Sequence, residues 1–116
     1  MKAVLLIDHG SRRDAANQIV VAVAATVRET HGGIVEHAHM ELAPPSIADG
    51  VTACVEAGAT ELVAVPYFLG PGRHVTEDVP RLVADACRAH GLPFTIAEPF
   101  GADPLIAELV ARRAGL

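Results

Sequence analysis

The feature that most constrains the fold is an alternation of two hydrophobic rhythms. Ala3 to Ile7 is a continuous apolar run that stops at Asp8-His9-Gly10-Ser11. Leu62 to Phe68 is another, with Pro66 near its end, and it stops before Gly70-Pro71-Gly72. Short runs without polar alternation mark strands buried on both faces. Ile34 to Met40 is a third strand candidate, made more polar by Glu36, His37 and His39, as suits a sheet edge. Pro93 to Glu98 is a fourth. Between the runs the period becomes helical. Residues 14 to 30 carry Ile19, Val23 and Val27, widened by Ala16 and Val20. Pro44-Pro45-Ser46 opens a helix through about Ala57, with the prolines expected in its first turn. Val79, Leu82, Val83, Ala86, Cys87 and His90 make a third amphipathic stripe with Pro80 in the first turn, and Asp103-Pro104 caps and starts a fourth helix.

The order β-α-β-α-β-α-β-α with short connections predicts an α/β fold: a four-stranded parallel sheet flanked by helices, in a single domain over residues 1–116. A chain of 116 residues is long enough for a real core. Aromatic residues are only 3% and the net charge is −5, so stacking on single strands or coating a phosphate backbone is a poor fit, and no nucleic-acid partner is expected. No apolar run approaches the ~20 residues of a membrane span. The start, MKAVLLIDHG, is interrupted too soon to read as a signal peptide. Cys54 and Cys87 lie far apart on apolar helix faces and read as buried free thiols, which fits a reducing cytoplasm.

The unusual residues gather just past strand ends: Asp8 to Ser11, Glu41, Gly70 to His74, and Glu98 to Gly101. In open α/β sheets that edge binds ligands. If the first and third strands are neighbours, His9 and His74 overhang one crevice, with Glu41 nearby. Two imidazoles and a carboxylate suit Fe²⁺, Co²⁺, Ni²⁺ or Zn²⁺ with positions left open. The competing reading makes His9 a capping residue and His74 a solvated one. Arg12, Arg13 and Arg73 near the same edge suit substrate carboxylates or plain solvation. His31 and His90 sit beside glycines at helix ends, where an imidazolium complements the dipole. His37 and His39, on one side of the second strand, read as solvated or edge residues. There is no phosphate-binding glycine motif and no serine elbow.

Four stretches in order, DHGSRRDAAN (8 to 17), MELAPPSI (40 to 47), VPYFLGPGRHVTEDVP (65 to 80) and EPFGADPLI (98 to 106), resemble the small, single-module class II sirohydrochlorin chelatases over essentially the whole chain. The resemblance implies the chelatase version of the flavodoxin-like three-layer fold. It also implies a lyase that inserts Co²⁺ or Fe²⁺ into sirohydrochlorin for cobalamin or sirohaem, with the metal as substrate and no permanent cofactor. By position, His9, His74 and Glu41 would bind the metal and take up pyrrole protons. Ser11, Arg12 and Asn17 would shape the loop or meet the tetrapyrrole's carboxylates. Gly70 and Gly72 would turn the backbone tightly beside the flat ring, with Arg73 adjacent, and set His74 over it. A homodimer would supply the second lobe that larger relatives carry in one chain. A carrier of metal or tetrapyrrole without turnover, and a nickel chelatase on the same ring, are the alternatives.

Overall fold

A computed structural model describes residues 1–116. The strands are β1 (Lys2–Asp8), β2 (Ile34–His39), β3 (Glu61–Pro66) and β4 (Phe94–Ile96). The helices are α1 (Asp14–His31), α2 (Ile47–Glu56), α3 (Val79–Ala89) and α4 (Pro104–Arg113), and a π-helical turn, His74–Asp78, leads into α3. All strand pairs are parallel, in the order β2-β1-β3-β4. The apolar runs β1 and β3 are therefore central, and the more polar β2 is an edge, as its composition requires. The chain departs from β1 in one direction to β2 and crosses back to β3, so β1 and β3 flank the switch point where such sheets open a crevice.

The two faces of the sheet are covered unequally. On one, α2 (Ile47, Val51, Cys54) and α3 (Val79, Val83, Cys87) pack on Ala3, Leu5, Ile7, Leu62 and Ala64 in one large cluster. On the other, Val20 and Ala24 of α1 pack on Leu6 and Val35. Val63 and Val65 stand beside Val4 and Leu6 on that second face, belong to neither cluster and are only partly buried. No residue of α4 is buried; Leu105 is 72% and Val110 62% exposed.

Some local expectations change. The inward face of α1 is Asn17, Val20 and Ala24, flanked by Val23 and Val27, while Ile19 is 54% exposed. Pro44 and Pro45 are not in the first turn of α2. They form a turn with a cis bond ahead of Ser46, which caps the helix in a reciprocal box with Asp49. The fourth strand is shorter than its apolar run, because after Ile96 only Ala97 still donates to β3, at Ala64. Asp103 caps α4 through the Leu105 amide, with Pro104 first in the helix, as expected. Cys54 and Cys87 are free and buried. Burial pushes the Cys54 thiol up to about 12, with smaller contributions from Glu36 and Cys87, and burial raises Cys87 as well. No helix is long and apolar enough to cross a membrane.

Candidate metal and tetrapyrrole site

His9 is the first residue past β1, and Glu41 lies two past β2. The β1–β2 ladder does not stop with the strands. The Met40 amide donates to the Asp8 carbonyl at 2.9 Å and the Glu41 amide to the His9 carbonyl at 3.1 Å. Those bonds bring Glu41 beside His9, and Glu41 Oε1 lies 3.0 Å from His9 Nε2. On the other side of its ring, His9 Nδ1–H donates to the Gly10 carbonyl at 3.1 Å. With Nδ1 as donor, Nε2 carries the lone pair and faces a carboxylate oxygen. Two electron-rich atoms at that separation need a cation between them, either a proton or a metal ion. Ligands about 2.1 Å from one ion and at right angles lie about 3.0 Å apart, so the spacing suits two corners of one coordination shell.

His74 comes from the other side of the switch point. Its ring centroid is 4.8 Å from that of His9, at 68°. It is not on the loop, as expected from sequence, but opens the π-helical turn. The turn is anchored at its start: the Gly72 carbonyl accepts from the Val75 and Thr76 amides and the Thr76 hydroxyl. Buried Val75 pins it to the body. His74 Nδ1–H donates to Asp78 Oδ2 at 2.9 Å, which leaves Nε2 as the free lone pair. A π-turn at such a position is a common sign of function. His9, Glu41 and His74 have 41%, 52% and 49% of their side-chain surface exposed, so the site is an open edge, not a pocket. The three do not form a closed three-ligand cage; His9 is the hub, with Glu41 and His74 on either side.

The remaining expected site residues divide. Asn17 is buried and its amide is spent on loop one: it accepts from the Ser11 amide at 2.9 Å and donates to the Ser11 carbonyl at 2.7 Å. Its observed contacts are those of loop shaping. The Ser11 hydroxyl accepts from the Arg13 amide at 3.0 Å. Arg12 and Arg13 are exposed at the edge. Arg73 is 81% exposed and pairs with Glu77 at 3.6 Å, one turn along. Gly70 and Gly72 are not required by the backbone or by packing within the chain itself. Neither has a left-handed backbone, and an added Cβ would meet nothing within 4 Å at either.

The glycine that matters is Gly10. Its φ is +92°, and a Cβ there would lie 1.8 Å from the Glu41 carbonyl oxygen. Leu42, directly after Glu41, also has a left-handed φ of +70°, strain of order 1 kcal/mol that turns the second loop away. Sequence reasoning missed three further groups. Asp78 supports His74, and its signal is the i, i+4 spacing in HVTED. Asp8 and His39 form the other missed feature. His39 is not solvated: it is 2% exposed, and its Nδ1–H donates to Asp8 Oδ1 at 2.6 Å. His37 is half-buried beside it, with ring centroids 5.9 Å apart. Burial, then repulsion from His39, holds the His37 pKa below the usual imidazole value.

With this geometry in place, comparison with known proteins is direct. The sequence model of CbiX matches residues 3–115. The chain is 42% identical over 112 residues to the chloroplastic sirohydrochlorin ferrochelatase of Arabidopsis thaliana, covering 95% of this chain and 50% of that protein. It is 33% identical over 119 residues to the sirohydrochlorin cobaltochelatase of Methanosarcina barkeri, covering 95% of this chain and 92% of that one. Among solved structures, it superposes on the sirohydrochlorin chelatase SirB of Bacillus subtilis subspecies spizizenii, in complex with cobalt. The TM-score is 0.89 at 29% identity, covering 98% of this chain and 50% of SirB. The chain thus spans half the length of the plant protein and of SirB, and nearly all of the archaeal one. A match over almost every residue, together with the fold and the two histidines at one sheet edge, leads to one conclusion: the chain belongs to the CbiX family.

Proposed function

We propose that this chain inserts Co²⁺ or Fe²⁺ into sirohydrochlorin, with His9, Glu41 and His74 as the metal-handling residues. The observation that carries this reading is the 3.0 Å approach of His9 Nε2 to Glu41 Oε1, with the His74 ring alongside at 4.8 Å. Insertion exchanges two pyrrole protons for one divalent ion. His9 and Glu41 present a base and a carboxylate that hold the ion until the ring arrives, and the same atoms take up the protons as it leaves. His74, oriented by Asp78, offers a further lone pair from the far side of the crevice. Arg12, Arg13 and Arg73 ring the edge, where guanidinium groups suit the many carboxylates of such a macrocycle. The relatives named as ferrochelatase and cobaltochelatase support both metals.

An open edge gives a flat ring only one wall. A second copy of the chain supplies the other wall in this proposal. The support is twofold: partly buried Val63 and Val65 on the sheet, and the unburied apolar stripe of α4 with Leu105 and Val110. Apolar surface left on both invites burial between copies. The dimer is placed in the cytoplasm, which suits the free thiols of Cys54 and Cys87. The test is anaerobic visible absorbance of sirohydrochlorin with Co²⁺, with and without protein, for the wild type and for His9→Ala and His74→Ala. Protein-dependent insertion above the spontaneous rate, lowered in both variants and most in His9→Ala, is expected. A bound-ring spectrum without faster insertion would make the chain a carrier. Light scattering at the assay concentration should give twice the chain mass.

A further inference from the structure

We propose that Asp8 and His39 form a positioning couple that sets the His9–Glu41 separation; this rests on the chelatase reading of the site. The two residues end adjacent strands and are register partners, Asp8 closing β1 and His39 closing β2. His9 is the next residue after the first, and Glu41 the second after the other. The couple is therefore the last side-chain link between the two strands before the two site residues. Its bond is short, at 2.6 Å, and joins an imidazole to a carboxylate. The donor is 98% buried by its 2% exposure, and Asp8 is 17% exposed. Such charge-assisted bonds carry more geometric weight than neutral ones.

Three observations tie the couple to the site. First, β2 is an edge strand whose only ladder partner is β1, so its end would otherwise be the place to fray. Second, the backbone bonds Met40 N–H to the Asp8 carbonyl and Glu41 N–H to the His9 carbonyl follow directly on the couple, and the His39 amide donates to the Pro45 carbonyl at 2.9 Å. Third, a Cβ on Gly10 would lie 3.2 Å from His39 Cβ as well as 1.8 Å from the Glu41 carbonyl oxygen. His39, Gly10 and the Glu41 backbone are thus packed in one layer, and a shift of the His39 ring is passed to the loop that carries Glu41. Stability alone is a weak reason for the pair. A buried ionic or polar pair is often matched by apolar residues of the same volume, and its best-attested use is to fix register. The His39 ring touches neither metal nor ring in this reading; it acts through Glu41 and His9.

The test compares wild type, His39→Phe, His39→Asn and Asp8→Asn. Phe keeps a planar ring, somewhat larger, and removes the donor. Asn places an amide N–H where Nδ1 stood. Two readouts are taken: steady-state Co²⁺ insertion, separated into KM for metal, KM for tetrapyrrole and kcat, and the visible ligand-field spectrum of Co²⁺ titrated into protein alone. Thermal midpoints show that each variant is folded at the assay temperature. The expected result is a tenfold or greater loss of Co²⁺ affinity and rise in metal KM for His39→Phe, with an altered ligand-field band, the range seen when outer-shell partners of metal ligands are removed. KM for tetrapyrrole should stay unchanged, and His39→Asn should restore most of the loss. Folded variants with wild-type Co²⁺ affinity and metal KM would overturn the couple and leave the chelatase reading standing. Losses that simply follow the thermal midpoint, with no rescue by Asn, would also overturn it. A wild type that binds Co²⁺ but inserts none would overturn the chelatase reading, and the same variants then judge the couple by Co²⁺ affinity alone. If His39→Phe does not fold, Asp8→Asn and His39→Asn decide by the same readouts.

Discussion

His9 and His74 bring the same group to the same crevice but are held in different ways. His9 stands on a loop tied down by backbone: the extended β1–β2 ladder on one side, and the Ser11–Asn17 amide clasp on the other. His74 stands on a helical turn and takes its orientation from one side chain, Asp78. The glycines beside them differ in the same sense. Gly10 is required by its left-handed backbone and the Glu41 carbonyl, whereas Gly72 has open space around its Cα. The lesson is that one half of the site is built into the sheet and the other is mounted on it. The aim of His9 rests on bonds from a neighbouring strand and a helix, and that of His74 on one side-chain bond within its own turn.

The largest expected effect tests whether His9 is the hub. His9→Ala should lower kcat/KM for insertion by about 10²–10⁴-fold, the usual worth of a positioned base. His74→Ala should cost about tenfold less, since it leaves the His9–Glu41 pair intact. Equal losses in steady-state assays would erase the distinction. Next, Gly10→Ala should destabilise the fold by about 3 kcal/mol, the sum of a left-handed residue and an overpacked contact, read from the denaturation midpoint. A midpoint equal to wild type would show that loop one is looser than described. Asp78→Ala should weaken Co²⁺ binding by about tenfold, followed by titration of the protein alone, without the denaturation shift of Gly10→Ala. The smallest effect is the sharpest control. Gly72→Ala should change stability by less than about 0.5 kcal/mol and leave the insertion rate as it was. A strong loss there would mean that the ring itself presses on Gly72.

Much of this was legible in the sequence, because it rests on periodicity and on chain order. The runs Ala3 to Ile7 and Leu62 to Phe68 announced central strands, and their polar endings placed His9 and His74 at one edge. What stayed hidden depends on register and on helix phase. Nothing local distinguishes a solvated His39 from one that is 2% exposed; only the pairing of Asp8 with His39 across two strands does so. Asn17 left a faint signal as a polar residue on an apolar stripe, but its partner Ser11 lies in the preceding loop. Gly70-Pro71-Gly72 looked more demanding than Gly10 because it is richer in glycine, while the real demand comes from a carbonyl thirty-one positions away in the chain. The bare stripe of α4 was invisible, since its apolar spacing is that of any packed helix.

The π-helical turn has a consequence for how this segment tolerates change. A helix advances 100° per residue, so one inserted or deleted position rotates everything beyond it by more than a quarter turn. Here the wider turn, closed by the Val79 amide on the His74 carbonyl, adjusts phase. It lets His74 look toward the crevice while Val79, Val83 and Cys87 look toward the sheet. Thr76 and Glu77 are exposed, and a change of identity there costs no more than the Thr76 hydroxyl's bond to the Gly72 carbonyl and the Arg73–Glu77 pair. Their number is not free: removing either would force a choice between aiming the imidazole and seating the helix.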